Sequence, residues 1–132
     1  MSVLARYREE SKFEVIDHAK EMEIKIYGYC MNEKYFPKKH RFSLTMHIIE
    51  DAGSIPDLIT EAQREQPGSL RRRELQNKAF AKCENILRRI ELAEVNGLPI
   101  PNGILVEITE GIIKEEKLLV GWQKSDKERA AG

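Results

Sequence analysis

A chain of 132 residues, 41% hydrophobic and 33% charged, has room for one core and the make-up of a helix-rich globular domain. Its 22 Lys and Arg balance 22 Asp and Glu, so affinity for nucleic acid must come from local clustering of cations and not from a basic excess. No apolar run approaches the roughly 20 residues of a membrane helix, and the opening Met-Ser-Val-Leu-Ala-Arg-Tyr-Arg lacks the apolar core and cleavage site of a secretory signal. Cys30 and Cys83 stand alone within helical patterns and read as small buried hydrophobes, which places the chain in the cytoplasm.

Residues 1–10 are polar and unpatterned, an arm ahead of the first element. Ser11, with Glu14 three residues on, forms a capping-box pattern that opens a helix over residues 11–33. Its inward face is Phe13, Ile16, Ala19, Met22, Ile26 and Cys30. A second helix over residues 38–65 carries Leu44, Ile48, Ala52, Ile55, Ile59 and Ala62 at steps of three and four, one stripe of an α-helix. Pro37 supplies its start and Pro67-Gly68 its stop. At 1.5 Å per residue it spans roughly 40 Å, a rod that needs partners along its whole length.

Pro56 lies inside that rod, where it either bends one continuous helix or marks a restart capped by Ser54. The stripe keeps its phase through the proline, which favours the bent helix. Ser69 is positioned to cap a third helix over residues 70–96, striped by Leu75, Ala79, Cys83, Ile86, Ile90 and Ala93 and ended by Asn96-Gly97. Leu98-Pro99-Ile100-Pro101 is a rigid extended connector. Asn102 caps a fourth helix over residues 102–124, carrying Leu105, Ile108, Ile112, Leu119 and Trp122, and a polar tail follows from Ser125.

Four helices on short connectors predict an all-α fold, an antiparallel up-down-up-down four-helix bundle in a single domain. The fourth helix has a second apolar line, Val106, Ile113 and Val120; the second adds Phe42 and Ile49, the third Phe80 and Leu87. A helix lining only a monomeric core needs one stripe of about 100°. The surplus either packs between subunits or widens the core.

Catalytic signatures are missing from the sequence. Di-iron bundles need inward Glu-x-x-His pairs, and none occurs; Gly-x-x-x-x-Gly-Lys is absent as well. His40 and His47 lie seven apart on one helical face without cysteine or carboxylate support, and read as exposed residues. The expectation is therefore no enzyme, no metal and no cofactor. Glu115 falls on the inner stripe of the fourth helix, either reaching solvent at its edge or held there as a paired charge.

Cations do cluster. Lys38-Lys39-His40-Arg41 opens the second helix and Arg71-Arg72-Arg73 the third, at opposite ends of an antiparallel bundle. There they stand beside unsatisfied N–H groups and form two candidate phosphate sites. Lys34, Arg88 and Arg89 fall toward the first end; Arg64, Lys124, Lys127 and Arg129 fall toward the second.

Phe36-Pro37-Lys38-Lys39-His40-Arg41-Phe42-Ser43-Leu44 resembles the opening motif of a family of small four-helix-bundle proteins. That family includes the accessory variability proteins (Avd) of diversity-generating retroelements and the proteins encoded in intervening sequences of bacterial 23S ribosomal RNA genes. Ser54-Ile55-Pro56-Asp57-Leu58-Ile59-Thr60-Glu61-Ala62 is similar to the pattern that follows in both branches. Leu58 and Ala62 replace the Asn and Gly of the intervening-sequence branch and lean toward the retroelement branch, as do Leu87-Arg88-Arg89-Ile90-Glu91-Leu92-Ala93 and Gly121-Trp122-Gln123-Lys124-Ser125. Lys114-Glu115-Glu116-Lys117 departs from the small apolar residues usual in the family, and the neutral charge departs from its basic habit.

The resemblance implies a barrel-shaped homopentamer that binds a reverse transcriptase and its template RNA or RNA/DNA hybrid, supporting mutagenic cDNA synthesis without catalysing it. Lys38, Lys39, Arg41, Arg71, Arg72, Arg73, Arg88 and Arg89 are the expected contacts. The alternative is an oligomeric scaffold of the intervening-sequence type that binds protein and not nucleic acid.

Overall fold

The structure, a computed structural model, describes residues 14–131. Among them are four α-helices and no strand: α1 (Glu14–Cys30), α2 (Met46–Gln63), α3 (Leu70–Val95) and α4 (Asn102–Ala131). Each packs on two neighbours, closing the cycle α1–α2–α3–α4. Neighbours run antiparallel: His18 near the start of α1 meets Glu115, whereas Tyr29 near its end meets Glu107, earlier in α4. This is the expected four-helix bundle, and its core is the stripes read from sequence. Ile26, Ile48, Ile59, Leu75, Ile86, Ile108, Ile112 and Leu119 are all fully buried. At roughly 1.5–3 kcal/mol for each large aliphatic side chain removed from water, these stripes dominate the folding free energy.

The Ser11 cap and Phe13 lie outside the described residues. At its other end α1 stops three residues short of the expected Glu33. The Asn32 Oδ1 accepts the Lys34 N–H at 2.9 Å, and the Asn32 carbonyl accepts the N–H groups of Tyr35 and Phe36. A side-chain acceptor offered to the backbone competes with the helix and ends it.

The second rod departs more. Pro37 sits at φ −58°, ψ 147°, followed by a 3-10 turn (Lys38–His40) and a π-turn (Arg41–Thr45) before regular α2 begins. The π-turn takes up an extra residue, so Leu44 enters the core while Phe42 is left 81% exposed. Pro56 is buried within an unbroken α2, as the constant phase of the stripe required. Ser54 is no restart cap: its hydroxyl donates to the Glu50 carbonyl at 2.8 Å.

Ser69 caps α3, its hydroxyl accepting the Arg72 N–H at 3.2 Å. The helix ends in a Schellman motif. Gly97 adopts φ +71°, its N–H bonds the Glu94 carbonyl at 3.0 Å, and the Leu98 N–H bonds the Ala93 carbonyl at 3.1 Å.

The expected stop of the fourth helix at residue 124 is wrong: α4 runs on to Ala131. Asp126 is buried, and the last turn rests on the turn before α3. A Cβ on Gly68, itself at φ +81°, would stand 2.4 Å from Ala130 Cβ. Halfway along, a Cβ on Gly111 would meet Met22 at 2.4 Å, so α1 and α4 approach closely there.

Candidate nucleic-acid interface

The eight cations expected at the interface fall into two groups. Lys38, Lys39, Arg71, Arg73 and Arg88 are exposed, and Arg41 is half-exposed. Glu33 lies 3.2 Å from Arg41 and 3.9 Å from Lys38; Glu61 and Glu74 each lie 3.9 Å from Arg71. Pairs so open to water hold these side chains weakly, typically by 0–1 kcal/mol, and leave them available to a stronger anion.

Arg72 and Arg89 turn inward. Arg72 is buried: its Nε and one terminal nitrogen donate to the two Asp126 oxygens at 2.6 and 2.9 Å, and the other donates to the Glu65 carbonyl at 3.0 Å. The guanidinium lies 4.8 Å from the Trp122 ring centroid, and Gln76 Nε2 donates to Asp126 at 2.8 Å. Every face of the group is in use, so Arg72 drops out of the expected contacts. Arg89 is half-buried and donates to Asp51, which Lys82 approaches to 3.5 Å; it too is held within the bundle.

Arg72 belongs to the α3–α4 packing because it occupies a stripe position, and Arg89, beside the stripe residue Ile90, reaches Asp51 on α2. Arg72 precedes Leu75 by three residues, and Asp126 follows Leu119 by seven. In phase on neighbouring helices, opposite charges meet inside.

The extension of α4 changes the second end of the bundle. Lys124 and Lys127 are not in a loose tail; they stand on the last turns of α4 and line, with Arg73 and Gly68, a cleft of about 460 Å³. Asp126 also borders it, but its carboxylate is already bound by Arg72 and Gln76. Arg129 lies at the same end, beside Trp122 and Lys117 in the next cleft. At the other end Lys38 and Lys39 project from the 3-10 turn. In the sequence Lys124 and Lys127 fall at the second end but outside the expected contacts, since a polar tail gives no phase to fix them. Asp126 at a stripe position was the signal that the helix continues.

The other titratable groups of note among the described residues are the histidines, the two cysteines and Glu115. No group of three or more His, Cys, Asp and Glu side chains there could hold a metal. His47 is exposed and His40 half-exposed, without such support. Burial pushes the Cys30 thiol up to about 12 and the Cys83 thiol up also, which keeps both protonated and unreactive.

Glu115 is not at the stripe's edge but fully buried, one oxygen 2.8 Å from His18 Nδ1. Burial raises its carboxyl to about 8, with Glu14 adding to the shift and Lys114 opposing it. Burial, with help from Lys114, lowers His18. Both shifts run toward the uncharged forms, a protonated Glu115 beside a neutral His18. The pair is uncharged, which makes its burial tolerable.

Comparison of the chain with family models, with curated proteins and with solved structures returns no match.

Proposed function

We propose that this chain is a non-enzymatic, oligomeric accessory protein of the Avd type, which binds RNA and the reverse transcriptase of a diversity-generating retroelement. The observation that carries the reading is the convergence of Arg73 from α3 with Lys124 and Lys127 from α4 around one cleft, with Arg71 exposed on the same first turn of α3. Flexible exposed cations around a cleft suit the phosphate backbone of an RNA, whose recognition needs charge more than base contacts. Lys38 and Lys39, exposed on the 3-10 turn, supply a second, smaller basic area at the other end, and Arg88 stands exposed on α3. The ribosomal intervening-sequence reading, a protein-binding scaffold, draws on the exposed Val106, Ile113 and Val120 of α4 instead.

The test is reversal of Arg71, Arg73, Lys124 and Lys127 to glutamate with Arg72 left intact, since changing Arg72 would break the bundle and confound the result. The variant keeps its helicity and solution mass but loses RNA retention in a filter assay, and the salt slope of the remaining binding flattens by about 0.7 per lost single-strand phosphate contact. Unchanged retention across the salt series would remove these four side chains from the interface. Recovery of an adjacently encoded reverse transcriptase with the tagged protein then separates the accessory reading from the scaffold.

A further inference from the structure

Most of the large apolar side chains that the bundle leaves in water lie on two sides. Ile24, Tyr27, Met31 and Met46 border the hollows between α1 and α2, and Phe42, beside Arg41 at the end of that side, is 81% exposed. Leu105, Val106 and Ile113 line a groove of about 480 Å³ between α3 and α4. The cycle α1–α2–α3–α4 sets these two sides back to back. Apolar surface of this extent marks a contact that one copy alone leaves unmade.

Where Phe42 stands and where the groove lies, the charges are opposite. Glu91, Glu94 and Glu110 line the groove, all three exposed, and no cation lines it with them. None of the three has an ion-pair partner among the described residues. Around Phe42, Lys38 and Lys39 are exposed and Arg41 is half-exposed, with Glu33 and Glu50 offsetting part of the charge. Both features belong to one end of the bundle: Asp51, in the second turn of α2, meets Arg89 of α3, and the groove starts at Leu87.

We propose that Phe42 of one copy of this chain seats in the α3–α4 groove of the next, with Lys38, Lys39 and Arg41 facing Glu91, Glu94 and Glu110. The contact deepens the oligomeric part of the reading above and rests on it. A two-fold contact that paired either side with itself would leave the other side bare and set like charges together. Head-to-tail seating covers both sides and matches the signs. Each copy then still offers one side and one groove, and repetition closes into a ring where the rotation allows. A buried aromatic supplies about 150–250 Å² of the roughly 800 Å² per partner that a stable contact needs, and the apolar residues beside it on both sides extend the area. The cleft of Arg73, Lys124 and Lys127, at the far end of the bundle, stays open to RNA.

The experiment measures the solution mass of the full chain and two variants by light scattering, with helicity followed by circular dichroism. Phe42→Asp spoils the projecting side chain, and Val106→Lys with Ile113→Lys spoils the groove. All three positions are exposed, so the bundle survives each change. Should the groove variant lose helicity, Glu94→Lys with Glu110→Lys takes its place. Each variant alone is expected to fall to the mass of one chain. Mixed in equal amounts, they are expected to give the mass of two chains and no more, because one intact Phe42 and one intact groove remain between them. A mixture that stays at the mass of one chain overturns the head-to-tail pairing. A Phe42→Asp protein that keeps an oligomeric wild-type mass overturns the seat while leaving the oligomer standing. A wild type of one-chain mass overturns the oligomeric reading itself, and this contact with it.

Discussion

Glu115 occupies a place on α4 where the stripe of Ile108, Ile112 and Leu119 would take another aliphatic residue. Its raised carboxyl makes stability depend on pH. The unfolded chain gives up this proton near the ordinary 4.5, whereas the folded chain holds it to about 8. The contribution is thus fully present below 4.5 and is lost as pH rises through 8. His18 runs the other way: lowered by burial, its contribution is present above 6.5 and lost as pH falls through its folded value. The two oppose each other below 6.5, and Glu115 acts alone between 6.5 and 8. Urea unfolding at fixed protein concentration should show wild type losing about 2 kcal/mol over that window, near 1.4 kcal/mol per pH unit at most. Glu115→Gln, whose amide donates to His18 without titrating, should flatten the profile. A wild-type profile already flat there would mean that Glu115 titrates normally.

At the scale of single elements, α4 is decided at its far end. Its last seven residues contain no large apolar side chain, and what holds them is the Asp126 carboxylate gripped by Arg72 and Gln76. Removing one partner leaves the other charge buried and unmatched, at about 3–5 kcal/mol. Asp126→Asn should therefore lower stability by that order and speed amide exchange over residues 125–131 more than over α1. The pair Arg72→Met with Asp126→Leu should recover most of the loss, because packed aliphatics replace buried ion pairs well. An Asp126→Asn protein as stable as wild type would show that the pair contributes nothing to the helix end. The lysines beside it, Lys124 and Lys127, depend on this contact for their position against Arg73.

For the molecule as a whole, the question is what covers the apolar residues the bundle leaves outside. Val106, Ile113 and Val120 stand along one line of α4, 43%, 37% and 53% exposed, where a monomer's helix would be polar. On the proposed oligomeric reading they pack between subunits. Ile113→Lys with Val120→Lys should then reduce the mass measured by light scattering to that of one 15.3 kDa chain without loss of helicity. A wild-type protein already of that mass and fully folded would refute the oligomer. The surface is otherwise mixed in sign, which fits the zero net charge and, on the proposed reading, confines RNA to the two ends.

Local periodicity and punctuation determined the helices, their antiparallel order and nearly all of the core. Steps of three and four place side chains on one face wherever the chain is helical, and Ser69 and Asn96-Gly97 act through bonds to their own neighbours. Tertiary structure decided the rest, because charge carries no phase of its own until a neighbouring helix supplies the opposite sign. Arg71, Arg72 and Arg73 look alike in sequence, yet only Arg72 meets Asp126 across the bundle and turns inward. Likewise Glu115 reads as a misplaced carboxylate until His18 is found 2.8 Å away on α1. The π-turn was equally hidden: an extra residue in one turn is absorbed by packing Phe36 and Leu44 into one core, and no local signal in residues 41–45 announces it.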